Sequence, residues 1–218
     1  MIKYKNGNYN CILLEDGTKI RYNKLSHFEP LFPESIDCKI TNQCFQNCEY
    51  CHEQSNKEGK HANLNHPIFN SLHAGTELAI GGGNILLHPN IVEFLGRMRE
   101  QDIICNITIN LNELAGAYST IKYWSMNNLV HGVGISIDRI PTPNELMLLR
   151  QNPNFVVHVI AGIVTDEIIN TLSDCNLKIL ILGYKNFGRG INYLEKNPSI
   201  QERINELARK IQIGRAHV

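Results

Sequence analysis

Apolar and polar residues alternate in short stretches through the middle of the chain. Ile36, Cys38 and Ile40 alternate with Asp37, Lys39 and Thr41; Cys105, Ile107 and Ile109 with Asn106, Thr108 and Asn110; Val133, Ile135 and Ile137 with Gly134, Ser136 and Asp138. This period of two predicts strands over 36–41, 104–109 and 131–137, and 76–80, 155–161 and 177–182 are further candidate strands. Between and after them the period lengthens. Ile91, Phe94, Leu95 and Met98 share one face of a predicted helix over 89–100, as do Ile200, Ile204, Leu207 and Ile211 over 199–211. Thr142-Pro143-Asn144-Glu145 and Ser199-Ile200-Gln201-Glu202 both offer a capping hydroxyl with Glu three residues on. Strand starts recur every twenty to forty residues, so each strand is expected to be followed by a helix that crosses over to a parallel neighbour. The fold class is α/β.

The alternation also bears on the shape of the sheet. A doubly wound sheet is buried on both faces and reads as continuous apolar runs. Here one face carries Asp37, Lys39, Asn106, Thr108, Ser136 and Asp138, and Glu77 and His158 join it. A sheet curled around a polar cavity leaves neither face to bulk water, and its site is expected at the strand C-terminal ends. Ahead of it, residues 10–14 and 18–22 flank Asp16-Gly17, a tight-turn pair that predicts a hairpin packed over an end or edge of the sheet. Pro30 and Pro33 mark the connector, so 1–33 form an N-terminal β-hairpin region and 34–212 the main domain.

Composition narrows the class. The 218 residues suffice for one well-buried domain. Twenty-one basic and twenty-one acidic residues balance, so nucleic acid is not favoured as a partner and nothing draws the chain to an anionic membrane. No apolar run approaches the roughly 20 residues that span a bilayer, and no leader pattern opens the chain. A cytoplasmic protein is expected. Cys11, Cys38, Cys105 and Cys175 are scattered among apolar neighbours and read as buried thiols of a reducing compartment. The last six residues, Ile213-Gly214-Arg215-Ala216-His217-Val218, back-translate with permitted codons to one frame of a common sequencing adapter. They are expected to be read-through, not native.

The chemistry lies in Cys44-Phe45-Gln46-Asn47-Cys48-Glu49-Tyr50-Cys51, three cysteines spaced C-x-x-x-C-x-x-C directly after the first predicted parallel strand. A structural zinc or an electron-transfer cluster takes four protein ligands, so three leave a metal position open. Zinc completed by His52 or His61 is an alternative that spacing alone leaves standing. This loop resembles that of the radical S-adenosylmethionine superfamily, including the aromatic residue, Tyr50, before the last cysteine. The resemblance implies a partial (β/α)6 barrel of TIM type. It further implies a 4Fe-4S cluster on Cys44, Cys48 and Cys51, with S-adenosylmethionine chelated to the remaining iron. An external reductant of flavodoxin or ferredoxin type would supply an electron that cleaves the sulfonium to methionine and a 5'-deoxyadenosyl radical, which abstracts hydrogen from an unidentified substrate.

Further residues follow from the same resemblance. Gly81-Gly82-Gly83-Asn84, in register with His88-Pro89, is similar to the family's Gly-Gly-Glu-Pro element. It implies Gly82, Gly83 and Asn84 as the aminium site, with an uncharged Asn carbonyl where the family has Glu. Thr108, Asn110, Ser136 and Asp138 look like the polar strand ends that meet the methionine carboxylate and ribose, and Tyr184 like an adenine contact. Ordinary capping and turn formation is the competing reading for these. Lys39 and Glu77 are expected to project a cation and an anion into one lumen, either as a structural pair or for substrate, and His52 opens a polar loop that either covers the site and touches substrate or is a solvated connector. A non-catalytic iron-sulfur or zinc protein, or a degenerate nucleotide-binding barrel, are the alternative functions.

Overall fold

The protein was analysed as a computed structural model, which describes residues 1–15, 18–173 and 175–210, with residues 207–210 described by backbone alone. The predicted turn Asp16-Gly17, the Leu207 side chain, Ile211 and the adapter-like 213–218 lie outside the described residues.

The N-terminal region is a three-stranded antiparallel sheet, β1 (Ile2–Asn6), β2 (Tyr9–Leu13) and β3 (Lys19–Tyr22), rather than a two-stranded hairpin. The β2–β3 pairing agrees with the prediction; β1 was missed. Its signal was the two-residue Gly7-Asn8 loop between Asn6 and Tyr9, where Gly7 takes φ +56°. Tyr9, Cys11 and Leu13 bury one face. Glu34 collects the sheet's polar side chains: Tyr9 Oη donates to it at 2.5 Å, Arg21 Nη2 at 2.6 Å, and Lys19 Nζ lies 3.4 Å away. Lys19 also pairs with Glu77, so the small sheet sits against the N-terminal end of the main one.

The main sheet contains β4 (Ser35–Thr41), β5 (Glu77–Gly82), β6 (Ile104–Asn110), β7 (Gly132–Ser136), β8 (Phe155–Ile160) and β9 (Ile179–Leu182). All pairs are parallel and the spatial order is the chain order. A doubly wound sheet reverses at a switch point, whereas right-handed crossovers in a sequential sheet put every connection on one face. Among the described residues β4 and β9 remain edges, so hydrogen bonds do not close a ring. The core lies between strands and helices, with Ile80, Ile107, Ile109 and Ile135 against Phe94, Leu95, Leu114 and Ile121. The polar alternates Asn106, Thr108, Asn110, Ser136 and His158 are only half-buried on the other face.

The helices are α1 (Ile91–Glu100), α2 (Leu111–Met126), α3 (Pro143–Gln151), α4 (Asp166–Ser173), α5 (Arg189–Lys196) and α6 (Ser199–Lys210). The expectation of a helix after every strand fails at the first crossover. Residues 42–76 hold only a 3-10 turn, Pro67–Ser71, because the stretch is polar and has no run of apolar residues at helical spacing. At α6 the predicted cap is also displaced: Ile200 N–H already bonds Asn197 O at 3.0 Å, so Ser199 is the first helical residue and not the cap. Among the described residues no helix is long and apolar enough to cross a membrane.

The α3 capping box forms as predicted, with Glu145 N–H on Thr142 Oγ1 at 3.3 Å and Thr142 N–H on Glu145 Oε2 at 2.7 Å. Arg139 donates to both carboxylate oxygens, at 2.9 and 2.7 Å, and this bidentate pair holds Glu145 down at about 2. Its contribution is therefore complete above pH ~4.5 and fades as pH falls through about 2. Glu145→Gln should cost about 1 kcal/mol in urea unfolding at pH 7, discounted for the partly exposed Arg139, with the gap to wild type closing toward pH ~2. A gap independent of pH would contradict this.

Candidate active site at the cysteine loop

The loop that follows β4 has little apolar surface of its own to bury; Phe45 is 62% exposed. Hydrogen bonds hold it instead. Gly83 N–H donates to Thr41 O at 2.8 Å, Asn84 N–H to Gln43 O at 2.7 Å, and Cys44 N–H to Asn56 O at 2.8 Å. These tie the loop to the end of β5 and to its own returning limb. The approach requires glycine: a Cβ on Gly83 would stand 2.2 Å from Gln43 O, and one on Gly59 2.0 Å from Asn42 O. Gln46 reaches α2, donating to Glu113 Oε1 and accepting from Asn112 Nδ2, both at 2.8 Å. Tyr50 Oη donates to Asp138 Oδ2 at 2.6 Å, beyond the end of β7. Burial, then the Asp138 carboxylate, push the Tyr50 phenol upward.

Within this frame Cys44, Cys48 and Cys51 are free, half-buried and on the wall of one cavity of about 200 Å³. Tyr50, His52, Gly82, Gly83, Thr108, Asn110 and Ser136 share that wall, so ten of the fifteen residues singled out from sequence come together. Burial pushes the Cys48 thiol up, and Asp138, Cys51 and Cys44 push it the same way. One zinc ion would draw its sulfurs in to about 2.3 Å. Among the described residues no three His, Cys, Asp or Glu side chains gather around a single-ion position. Of the two suggested fourth zinc ligands, His61 bonds Thr41 Oγ1 at 2.8 Å and His52 lies in the cavity wall. The three cysteines share the cavity wall with glycine backbone and strand-end polar groups.

The other five residues stand outside that wall. Asn84 is buried, and its carbonyl accepts Leu86 N–H at 3.0 Å to cap the 3-10 turn Ile85–Leu87. Asp138 is taken up by Tyr50. Tyr184 Oη donates to Gly190 O at 2.6 Å, fastening its own loop. Lys39 and Glu77 do not pair. Register sets Lys39 opposite Gly81 and Glu77 opposite Ser35, four residues nearer the sheet's N-terminal end, so Lys39 pairs with Glu53 and Glu77 with Lys19. Asn110, though in the cavity wall, also caps α2 by accepting Asn112 N–H at 2.9 Å.

Sequence reasoning placed His158 on the polar face without giving it a role in the site, and missed Gln46 and Ser55 in the wall and Arg189 behind it. The local signal for His158 was Gly134 on the neighbouring strand. Its missing side chain makes room for the imidazole, since a Cβ there would lie 2.2 Å from His158 Cε1. Burial pushes that imidazole down, toward the neutral form.

Compared with known proteins, the chain matches no family model, and no curated protein is significantly similar to it. Tyr50→Phe removes the bond to Asp138 and should cost about 1 kcal/mol. It should also raise the labelling rate of the loop cysteines in metal-free protein several-fold; an unchanged rate would show that this bond does not hold the loop.

Proposed function

We propose that the protein is a radical S-adenosylmethionine enzyme of the cytoplasm, built on a partial (β/α)6 barrel. The observation that carries this reading is that three cysteines with the C-x-x-x-C-x-x-C spacing line one cavity with polar residues from three consecutive parallel strands. The sequential, all-parallel strand order, which right-handed crossovers turn into one-sided connections, supports a sheet that curls around its polar face. The N-terminal sheet then covers the bottom of the barrel, and the cavity opens at the C-terminal ends, where such folds carry chemistry.

In this reading Cys44, Cys48 and Cys51 hold a 4Fe-4S cluster. The donor set fits: three thiols that line one open cavity, whose wall His52 also joins. When bound, the cluster supplies the electron, received from a flavodoxin- or ferredoxin-type reductant, for cleavage of S-adenosylmethionine to methionine and a 5'-deoxyadenosyl radical. The chain's residues bind, orient and exclude water. Gly82 and Gly83 would present backbone to the methionine aminium, with Asn84 standing where the family has Glu. Thr108, Asn110 and Ser136 offer hydrogen bonds to the carboxylate and ribose. Ile109, Ile137 and Ile160 provide the apolar wall that keeps water from a reactive intermediate. Tyr50, bonded to Asp138, fixes the loop, while the Lys39–Glu53 pair with His52 borders the substrate side. Net neutrality disfavours a nucleic-acid substrate.

Anaerobic reconstitution with iron and sulfide, followed by dithionite and S-adenosylmethionine, should release 5'-deoxyadenosine, and Cys44→Ala, Cys48→Ala or Cys51→Ala should each abolish release. Zinc retention with no release would contradict the proposal. The capped Asn84 favours a second reading, a barrel that binds the cofactor without cleaving it. Binding of S-adenosylmethionine with no 5'-deoxyadenosine would identify that case.

A further inference from the structure

The segment after β9 crosses behind the cysteine loop, and one residue makes most of the contact. Arg189 Nε donates to Cys48 O at 3.0 Å and its Nη2 to Ser55 O at 3.0 Å, while its backbone N–H donates to Cys51 O at 3.2 Å. Three points on one loop are thus held by a residue more than 130 positions away in sequence. The strap is shaped for this approach. Gly188 takes φ +54°, and a Cβ there would lie 2.4 Å from His52 O. Gly190 is pressed on Lys185 O, where a Cβ would lie at 2.5 Å, and Tyr184 Oη fastens on Gly190 O at 2.6 Å. Tyr193, one turn into α5, sets its ring edge-on to Tyr50 at 5.8 Å.

We infer that Arg189 is a positioning residue for the metal group on the cysteine loop, seating it through the Cys48 and Ser55 carbonyls and biasing its redox potential with a fixed positive charge; this rests on the cluster reading above. The guanidinium is planar and always charged, and its fork reaches two carbonyls at once, which a lysine ammonium cannot do in the same way. A cation beside the Cys48 peptide favours the more negative, reduced state of whatever the sulfur holds, and net charge and hydrogen bonding are levers on cluster potentials. Loop seating and electrostatic bias are separable because Arg189→Lys keeps the charge and loses the fork.

The test compares wild type, Arg189→Lys and Arg189→Gln after reconstitution, with folding checked by far-UV circular dichroism. Both variants should lose cluster iron to a chelator about ten-fold faster than wild type, the scale of supporting-residue losses at metal sites. The midpoint potential should fall in Arg189→Gln and stay near wild type in Arg189→Lys. Wild-type iron loss in both variants, or equal potentials in all three proteins, would overturn the inference. A wild-type protein that takes up no cluster would overturn the parent reading instead. In that case thiol labelling of metal-free protein decides on the clamp alone: faster labelling in Arg189→Gln upholds it, and an unchanged rate removes it.

Discussion

The cysteine loop is a polar segment that hydrophobic burial does not hold, and the rest of the site depends on how it is fixed. Each protein hydrogen bond contributes only about 1 kcal/mol net, so no single contact suffices. The loop is held because bonds arrive from several elements: Gly83 and Asn84 after β5, Asn112 and Glu113 of α2, Asp138 after β7, and Arg189 after β9. These elements meet there because the strands are laid down in chain order, all parallel, with their C-terminal ends together. Any change in strand order would scatter the anchors.

The same geometry divides the labour of the sheet. Its N-terminal end is closed by the small antiparallel sheet, where Glu34 and Glu77 neutralise Lys19 and Arg21. Its C-terminal end is left for chemistry. Lys39 and Glu77 illustrate the point: both lie on the polar face, but four residues of register send one to the cavity rim and the other to the structural floor. Lys19, Arg21, Glu34 and Glu77 at the floor pair among themselves.

Strand β9, Ile-Leu-Ile-Leu, was legible in the sequence only as a short apolar run, while a half-buried face writes a period of two, which made β4, β6 and β7 legible. The cavity residues Thr108, Asn110 and Ser136 were legible for the same reason, being polar alternates at strand ends. What was not legible depended on contacts distant in sequence. Nothing near Arg189 points to Cys48, and nothing near Asp138 points to Tyr50. Asn84 shows a further limit: a motif position read as a ligand also serves locally as a cap, because a side-chain carbonyl two residues before a free N–H can accept it.

The central claim is that three sulfurs hold an iron-sulfur cluster with one iron left for S-adenosylmethionine. Electron paramagnetic resonance of the dithionite-reduced, reconstituted protein, recorded with and without S-adenosylmethionine, tests it most directly. The account predicts a 4Fe-4S spectrum whose g-values shift when the cofactor is added. The absence of a cluster signal, or a cluster signal indifferent to the cofactor, would contradict it.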